Sequence, residues 1–465
     1  MKFNHISMAV IVAVGASALT GCGVYNKFDV ADQSPLAAEY AKADSITPDS
    51  TAYGNLYWQE VFTDPILKDL IERALEANTN LENARLNVEI AQAQLKGAKL
   101  AYLPSVGIGA TGQGAKFGGN RLPMSDMQWT YNIPLSVSWE IDVFGKLLTA
   151  KRGAKAALLQ SEAYQRAVRS QIISSVAACY YAISSLEAQL ELSRKTAENW
   201  KESVEVMKNL KLAGRVTEAA VVQSNAQYYG ILANITDLEV SLDETYNTMS
   251  LLLNTMPQKW NIPASASELN PNIVRERVLM AELAARPDVK AAEQSLASAF
   301  YATANARAAF YPSLAITLSG GLTNAMGTAV VNPAEFFINL AGSLTVPLFS
   351  RGQNIARLEA AKAQQKQELN NFEYTLMSAA AEVSDAMTIF TKSREKMTYL
   401  EVQADNYAKA VEYNTDLLNY GSNTTYLEVL TAQQALLQAQ IGVISCRLAQ
   451  QRSLINLYQS LGGGR

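Results

Sequence analysis

The chain has 465 residues, 49% of them hydrophobic and 18% charged, with a formal net charge of -4. A mildly acidic chain without a basic patch argues against nucleic acid as a partner. His5, the only histidine, lies in the expected export signal of residues 1–21, and the three cysteines (Cys22, Cys179, Cys446) are scattered. The commonest general base, an imidazole metal site and a disulfide framework are therefore all missing, which disfavours enzyme and metal-site readings.

Lys2 precedes a short apolar run from Ile6 to Leu19 that ends in small residues. Spanning a bilayer takes about 20 apolar residues, so residues 1–21 are expected to be a cleaved export signal. Leu19-Thr20-Gly21-Cys22 is similar to the bacterial lipoprotein cleavage box, which implies that Cys22 becomes an acylated first residue. Several acyl chains on one residue anchor stably, and residues 22–57 then form a lipid-anchored extended segment. No later stretch comes near twenty uninterrupted apolar residues, so further entry into a membrane falls to strands.

The remainder is written twice, at an offset of about 207 residues. Ala84, Ala91 and Ala98 correspond to Ala292, Ala299 and Ala306, and Tyr102-Leu103-Pro104-Ser105 to Phe310-Tyr311-Pro312-Ser313. Gly214 matches Gly421, and Val222 matches Val429. Residues 58–253 and 277–465 are the two halves, joined by a connector over 254–276 that contains Pro257, Pro263 and Pro271. Each half reads helix, two strands, very long helix, turn, helix.

The strands are expected over 105–115, 130–144, 313–323 and 335–348. Tyr131, Ile133, Leu135, Val137, Trp139 and Ile141 alternate with Asn132, Pro134, Ser136, Ser138 and Glu140, and Phe336, Ile338 and Leu340 begin the same pattern in the second half. One fully apolar face and one small, polar face suit strands between lipid and a wet lumen, although a soluble amphipathic sheet has the same period. Glu140 and Asp142 resemble a carboxylate pair but lack a histidine partner, and the expectation is a solvated barrel wall.

Proline is absent between Pro134 and Pro257 and after Pro347. Apolar residues recur at alternating spacings of three and four, through Ile172, Val176, Cys179, Ile183, Leu186 and Leu190 and again through Leu369, Phe372, Leu376, Ala379 and Val383. That is a coiled-coil seam. A helix from about Lys151 to Ala213 is roughly 95 Å long, and Gly214 and Gly421 permit the reversals. Helices of this length belong to a fibre or a tube. Four strands cannot close a membrane barrel, which needs about eight, so several copies must share one; three copies supply twelve strands.

These features match a family. Trp58 with Phe62-Thr63-Asp64-Pro65, Trp139-Glu140-Ile141-Asp142-Val143-Phe144-Gly145, Arg286-Pro287-Asp288-Val289, Tyr426-Leu427-Glu428-Val429-Leu430-Thr431-Ala432-Gln433 and the closing Leu457-Tyr458-Gln459-Ser460-Leu461-Gly462-Gly463-Gly464 occur in family order. The chain resembles the lipoprotein outer-membrane factors of tripartite efflux systems, relatives of the TolC-type channels. The resemblance implies a mixed α and β fold: a homotrimer with one twelve-stranded transmembrane β-barrel, four strands per chain, continuous with a long α-helical coiled-coil barrel in the periplasm. It further implies a periplasmic adaptor, an inner-membrane pump of RND type, outer-membrane lipid, no cofactor and no enzymatic activity. Small-molecule efflux is the expected function, with a protein-secretion exit duct as the alternative. A coiled-coil fibre would have no use for the alternating segments, and a porin would lack the helices.

The family's tunnel closes at its periplasmic tip, where carboxylates ring the constriction. By motif position Glu428 holds one ring, while Thr431 stands where the second acidic residue belongs. Val221 replaces an aspartate of some relatives, leaving Glu218 as the nearest carboxylate. Lys211, Arg215, Asp416 and Tyr420 are candidates for interhelical ties at the tip. Each could equally be an ordinary surface group.

Overall fold

The computed structural model describes residues 25–45, 56–116, 127–270, 280–326, 329–347, 349–419 and 426–464. Cys22, Tyr420, Gly421 and Leu348 lie outside them. Three short helices, α1 (Pro35–Asp44), α2 (Trp58–Val61) and α3 (Pro65–Ala77), come first. The first half then carries α4 (Thr79–Leu100), α5 (Lys146–Leu212) and α6 (Glu218–Leu252). The second carries α7 (Met280–Ala284), α8 (Pro287–Ala308), α9 (Gln353–Asn419) and α10 (Tyr426–Ser460). The pairs α4 and α8 (22 residues each), α5 and α9 (67 each), and α6 and α10 (35 each) make the duplication visible in the backbone. In the last pair the offset is one residue longer than expected. Val221, not Val222, is the buried counterpart of Val429; Val222 is 58% exposed.

The chain divides into two compact units. One comprises the described residues up to Ala37 together with Asn87–Glu162 and Ala291–Phe372. It contains an antiparallel sheet of β1 (Ser105–Ile108), β2 (Thr111–Ala115), β3 (Gln128–Ile141), β4 (Ser313–Met326) and β5 (Ala329–Thr345). The order is β1-β3-β4-β5, with β2 also on β3. The expected strand over 105–115 is thus two segments in one column. The break at Gly109 and Ala110 lies opposite Pro134, which has no N–H for the ladder, although its carbonyl still accepts from the Gly109 amide at 3.1 Å.

Strand ends also differ from expectation. β3 starts at Gln128 and stops at Ile141, because Asp142 turns to cap α5, accepting from the amides of Leu147 (3.1 Å) and Leu148 (2.8 Å). Gly145, at φ 69°, makes the reversal, and α5 begins at Lys146, ahead of the expected Lys151. β5 stops at Thr345, short of Pro347, which cannot donate. β4 runs on to Met326 past a bulge, where the Asn324 side chain accepts from Tyr131 N (2.6 Å) and donates to the Trp129 carbonyl (2.9 Å), standing in for ladder bonds.

The second unit comprises Ala38–Leu86, Ala163–Lys290 and Glu373–Arg465. Side-chain caps start several of its helices. Asp64 accepts from Ile66 N and Leu67 N at the head of α3, and Asn78 caps α4 while its amide donates to the Leu252 carbonyl at 2.8 Å. Trp58, Phe62, Tyr180 and Tyr458 are among its fully buried side chains, and Phe62 meets Tyr458 edge to face at 5.8 Å. The glycine tail is a Schellman cap: Gly462, at φ 82°, follows α10, and Gly463 N bonds the Tyr458 carbonyl.

Candidate functional site

Register decides which residues share a face of the sheet. Ile108, Leu135, Val137, Leu318, Leu340, Trp139, Ile316, Ile133, Leu322 and Phe336 all lie on one side. Ser105, Ser136, Ser138, Ser319, Thr317, Asn339 and Ser343 lie on the other. The apolar side is bare: Ile108 is 77% exposed, and Ile338 and Leu340 are each 71% exposed. Trp129 and Trp139 bracket it on β3, about 33 Å apart along the strand at about 3.3 Å per residue. At a barrel tilt of about 40° that spacing becomes a band about 25 Å tall, the height of the lipid-facing zone of outer-membrane barrels. Both sheet edges, β1 with β2 and β5, are unpaired among the described residues. No described helix is long and apolar enough to cross a membrane.

Glu140 and Asp142 do not form a carboxylate pair. Glu140, on β3, binds Lys146 Nζ at 2.9 Å, and Asp142 lies past the strand and caps α5, which departs from the wall position expected for it. Among the described residues no group of three or more His, Cys, Asp or Glu could hold a metal ion.

In the second unit, α5 ends in another Schellman cap. Gly214 N bonds the Lys211 carbonyl and Arg215 N the Leu210 carbonyl, with Gly214 at φ 69°. Thr217 then caps α6 through Ala220 N. Lys211 pairs with Glu218 across this turn, so both tip candidates are engaged within one helical hairpin. Arg215 is exposed in the turn, Asp416 is exposed near the end of α9, and Glu428 is exposed on the first turn of α10. The structure does not bring Arg215 and Asp416 into an ion pair among the described residues.

What joins the helices near this turn is packing. Ala197, Trp200 and Val204 of α5, Ile231 of α6, and Leu430 and Leu437 of α10 form one buried cluster. Trp200 Nε1 donates to the Ser224 carbonyl (3.1 Å), and Tyr426 Oη donates to the Ser203 carbonyl (3.3 Å). Arg194 and Glu239 tie α5 to α6 at 2.6 Å. Tyr426 carried a signal in the sequence, as a motif residue, but not as a partner of Ser203.

Arg286 is the other residue whose role was not anticipated. Its guanidinium, 6% exposed, binds Asp288 (2.7 and 3.0 Å), Glu382 (2.7 Å) and the Ser460 carbonyl (2.7 Å), joining α8, α9 and α10. Burial alone would favour losing its proton, but the hydrogen bonds and charges of Asp288 and Glu382 outweigh that and raise its pKa.

Residues 70–255 and 278–463 each match the family model described as outer membrane efflux protein. The chain belongs to this family. It is thus an outer-membrane efflux channel, with the family's sheet and long helices. The probable outer membrane lipoprotein SilC of Salmonella typhimurium is 28% identical over 440 residues, 93% of both chains. The toluene efflux pump outer membrane protein TtgF of Pseudomonas putida is 29% identical over 476 residues, covering 100% of this chain and 97% of its own. The cation efflux system protein CusC of Escherichia coli O157:H7 is 27% identical over 456 residues, 97% of each. A crystal structure of CusC superimposes with a TM-score of 0.78 at 25% identity, covering 90% of this chain and 96% of that one.

Proposed function

We propose that three copies of this chain close one twelve-stranded barrel in the outer membrane and one helical tunnel in the periplasm. The observation that carries the proposal is the sheet: four strand columns with two open edges and a bare apolar face. In lipid each unpaired backbone group is worth several kcal/mol against insertion, so the edges must pair with other copies. Residues 58–253 and 277–465 act as the two efflux-protein repeats, with 254–276 as the connector.

Cys22 carries the lipid. Tyr25, three residues later, donates to the Val143 carbonyl, and Arg152 donates to the carbonyls of Tyr25 and Asn26. Three residues reach about 10 Å, which supports acyl chains entering the membrane beside the Trp139 end of the sheet. The duct takes small molecules from a periplasmic adaptor and an inner-membrane pump of RND type, and performs no chemistry itself. Both a cation and a toluene system occur among the relatives, so substrate choice is assigned to the pump.

At rest the duct closes at the tip, with Glu428 as a pore-facing carboxylate and Asp416, Tyr420 and Arg215 as ties between copies. Lys211 and Glu218 stiffen the hairpin that carries them. Mass measurement of the detergent-purified protein tests the assembly, with a trimer expected and a folded monomer overturning it. In planar bilayers, Asp416→Ala with Arg215→Ala raises single-channel conductance if the tip is the constriction. Equal conductance in parent and double variant overturns the gate.

A further inference from the structure

The polar face of the sheet is nearly free of charge. Within the described strands the charged residues are Glu140 and Glu335, and Glu140 is neutralised by Lys146 at 2.9 Å. Glu335 has no ion-pair partner among the described residues, and it is exposed. Register puts it in one transverse row with Thr111, Asn132 and Thr323, on the face opposite Leu322 and Phe336. The row lies toward the β4–β5 hairpin, about 33 Å along the strand from Thr345 at about 3.3 Å per residue. Its other members are hydroxyls and an amide, which offer dipoles but no counter-charge.

We propose that Glu335 sets a cation preference in the outer part of the channel, its copies forming a ring of carboxylates on the lumen wall. This rests on the three-copy barrel proposed above. Twelve strands about 4.8 Å apart, tilted about 40°, close at a backbone radius of about 12 Å. The Debye length is about 10 Å at 0.1 M salt, so no ion crossing that level escapes the field of the ring. At 1 M it falls to about 3 Å, and an ion near the axis is screened from the wall. The preference must therefore depend on salt in a way that a constriction in direct contact with ions would not.

The test is the reversal potential of single channels in planar bilayers, under KCl gradients centred on 0.1 M and on 1 M. The parent and Glu335→Asp should prefer potassium at 0.1 M. Glu335→Gln should lower the potassium-to-chloride permeability ratio about two-fold or more, and Glu335→Lys should favour chloride. At 1 M the variants should converge. Reversal potentials of Glu335→Gln and Glu335→Lys equal to the parent's at 0.1 M would overturn the assignment, as would a shift of the same size at both salts. Should the lysine variant fail to assemble, the near-isosteric glutamine decides. Where the closed tip silences the parent, the residue 335 variants are read in the Asp416→Ala, Arg215→Ala background; no current in that background overturns the duct reading, and this inference with it. A conducting parent whose selectivity ignores residue 335 overturns this inference alone.

Discussion

Trp200 should be the residue whose loss loosens the tip most. It is 2% exposed, sits about 18 Å from the end of α5 at about 1.5 Å per residue, and touches helices from both halves of the chain. Truncation of a buried tryptophan to alanine costs about 3–5 kcal/mol, and the full burial here calls for no solvent discount. The Ser224 carbonyl would also lose its 3.1 Å donor. At about 1.4 kcal/mol per factor of ten, opening of the hairpin should become about 10² to 4 × 10³ times more populated in Trp200→Ala. Trp200→Phe keeps most of the packing and loses the N–H bond, about 1 kcal/mol, or roughly five-fold. Hydrogen exchange over residues 195–235 reads the effect, with residues 128–141 of the sheet as the internal reference. Faster exchange should appear in the first segment only, graded Ala over Phe, with conductance rising in the same order. Unchanged exchange at the tip, or equal acceleration in the sheet, refutes the reasoning.

Gly321 faces Pro134, and a Cβ there would collide with the Ile133 carbonyl, so Gly321→Ala should abolish stable oligomers on gels, whereas Gly342→Ala, with nothing within 4 Å, should not. Arg286→Met should lower the midpoint of helix melting by circular dichroism. Loss of a partner from a buried pair costs about 3–5 kcal/mol, and since Asp288 and Glu382 are 42% and 52% exposed, about 1–3 kcal/mol is expected. Burial pushes the Cys179 thiol up to about 12, so its thiolate is scarce at pH 8, and iodoacetamide should label it after denaturation but not before. Glu218→Gln should change stability by less than about 0.5 kcal/mol, since both members of the Lys211 pair are largely exposed.

Burial in the folded chain follows the apolar periods closely wherever the partner surface is local. Phe372, Leu376, Ala379 and Val383 are buried on one stripe of α9, as their three-and-four spacing requires. The glycine reversal at Gly214 and the long uninterrupted helices were legible for the same reason: helix stops and continuations depend on a few neighbouring residues. The candidate site was less legible. Glu428, Asp416 and Arg215 could be placed near the turns from the sequence, but no ion pair engages them among the described residues, and Lys211 and Glu218 turned out to bind each other.

The sequence by itself determined the duplication, the two periods, the open four-column sheet and hence the need for other copies, because each follows from residue order along one element or from counting strands. The tertiary structure alone decided the side chain's partner. Arg286 meets Glu382 across 96 residues and the Ser460 carbonyl across 174, Asp142 leaves the wall to cap α5, and Glu335 falls into the row of Thr323. A period states which face a residue takes, but strand register, helix rotation and long-range pairing are set by packing between elements, where a shift of one residue exchanges one face for the other.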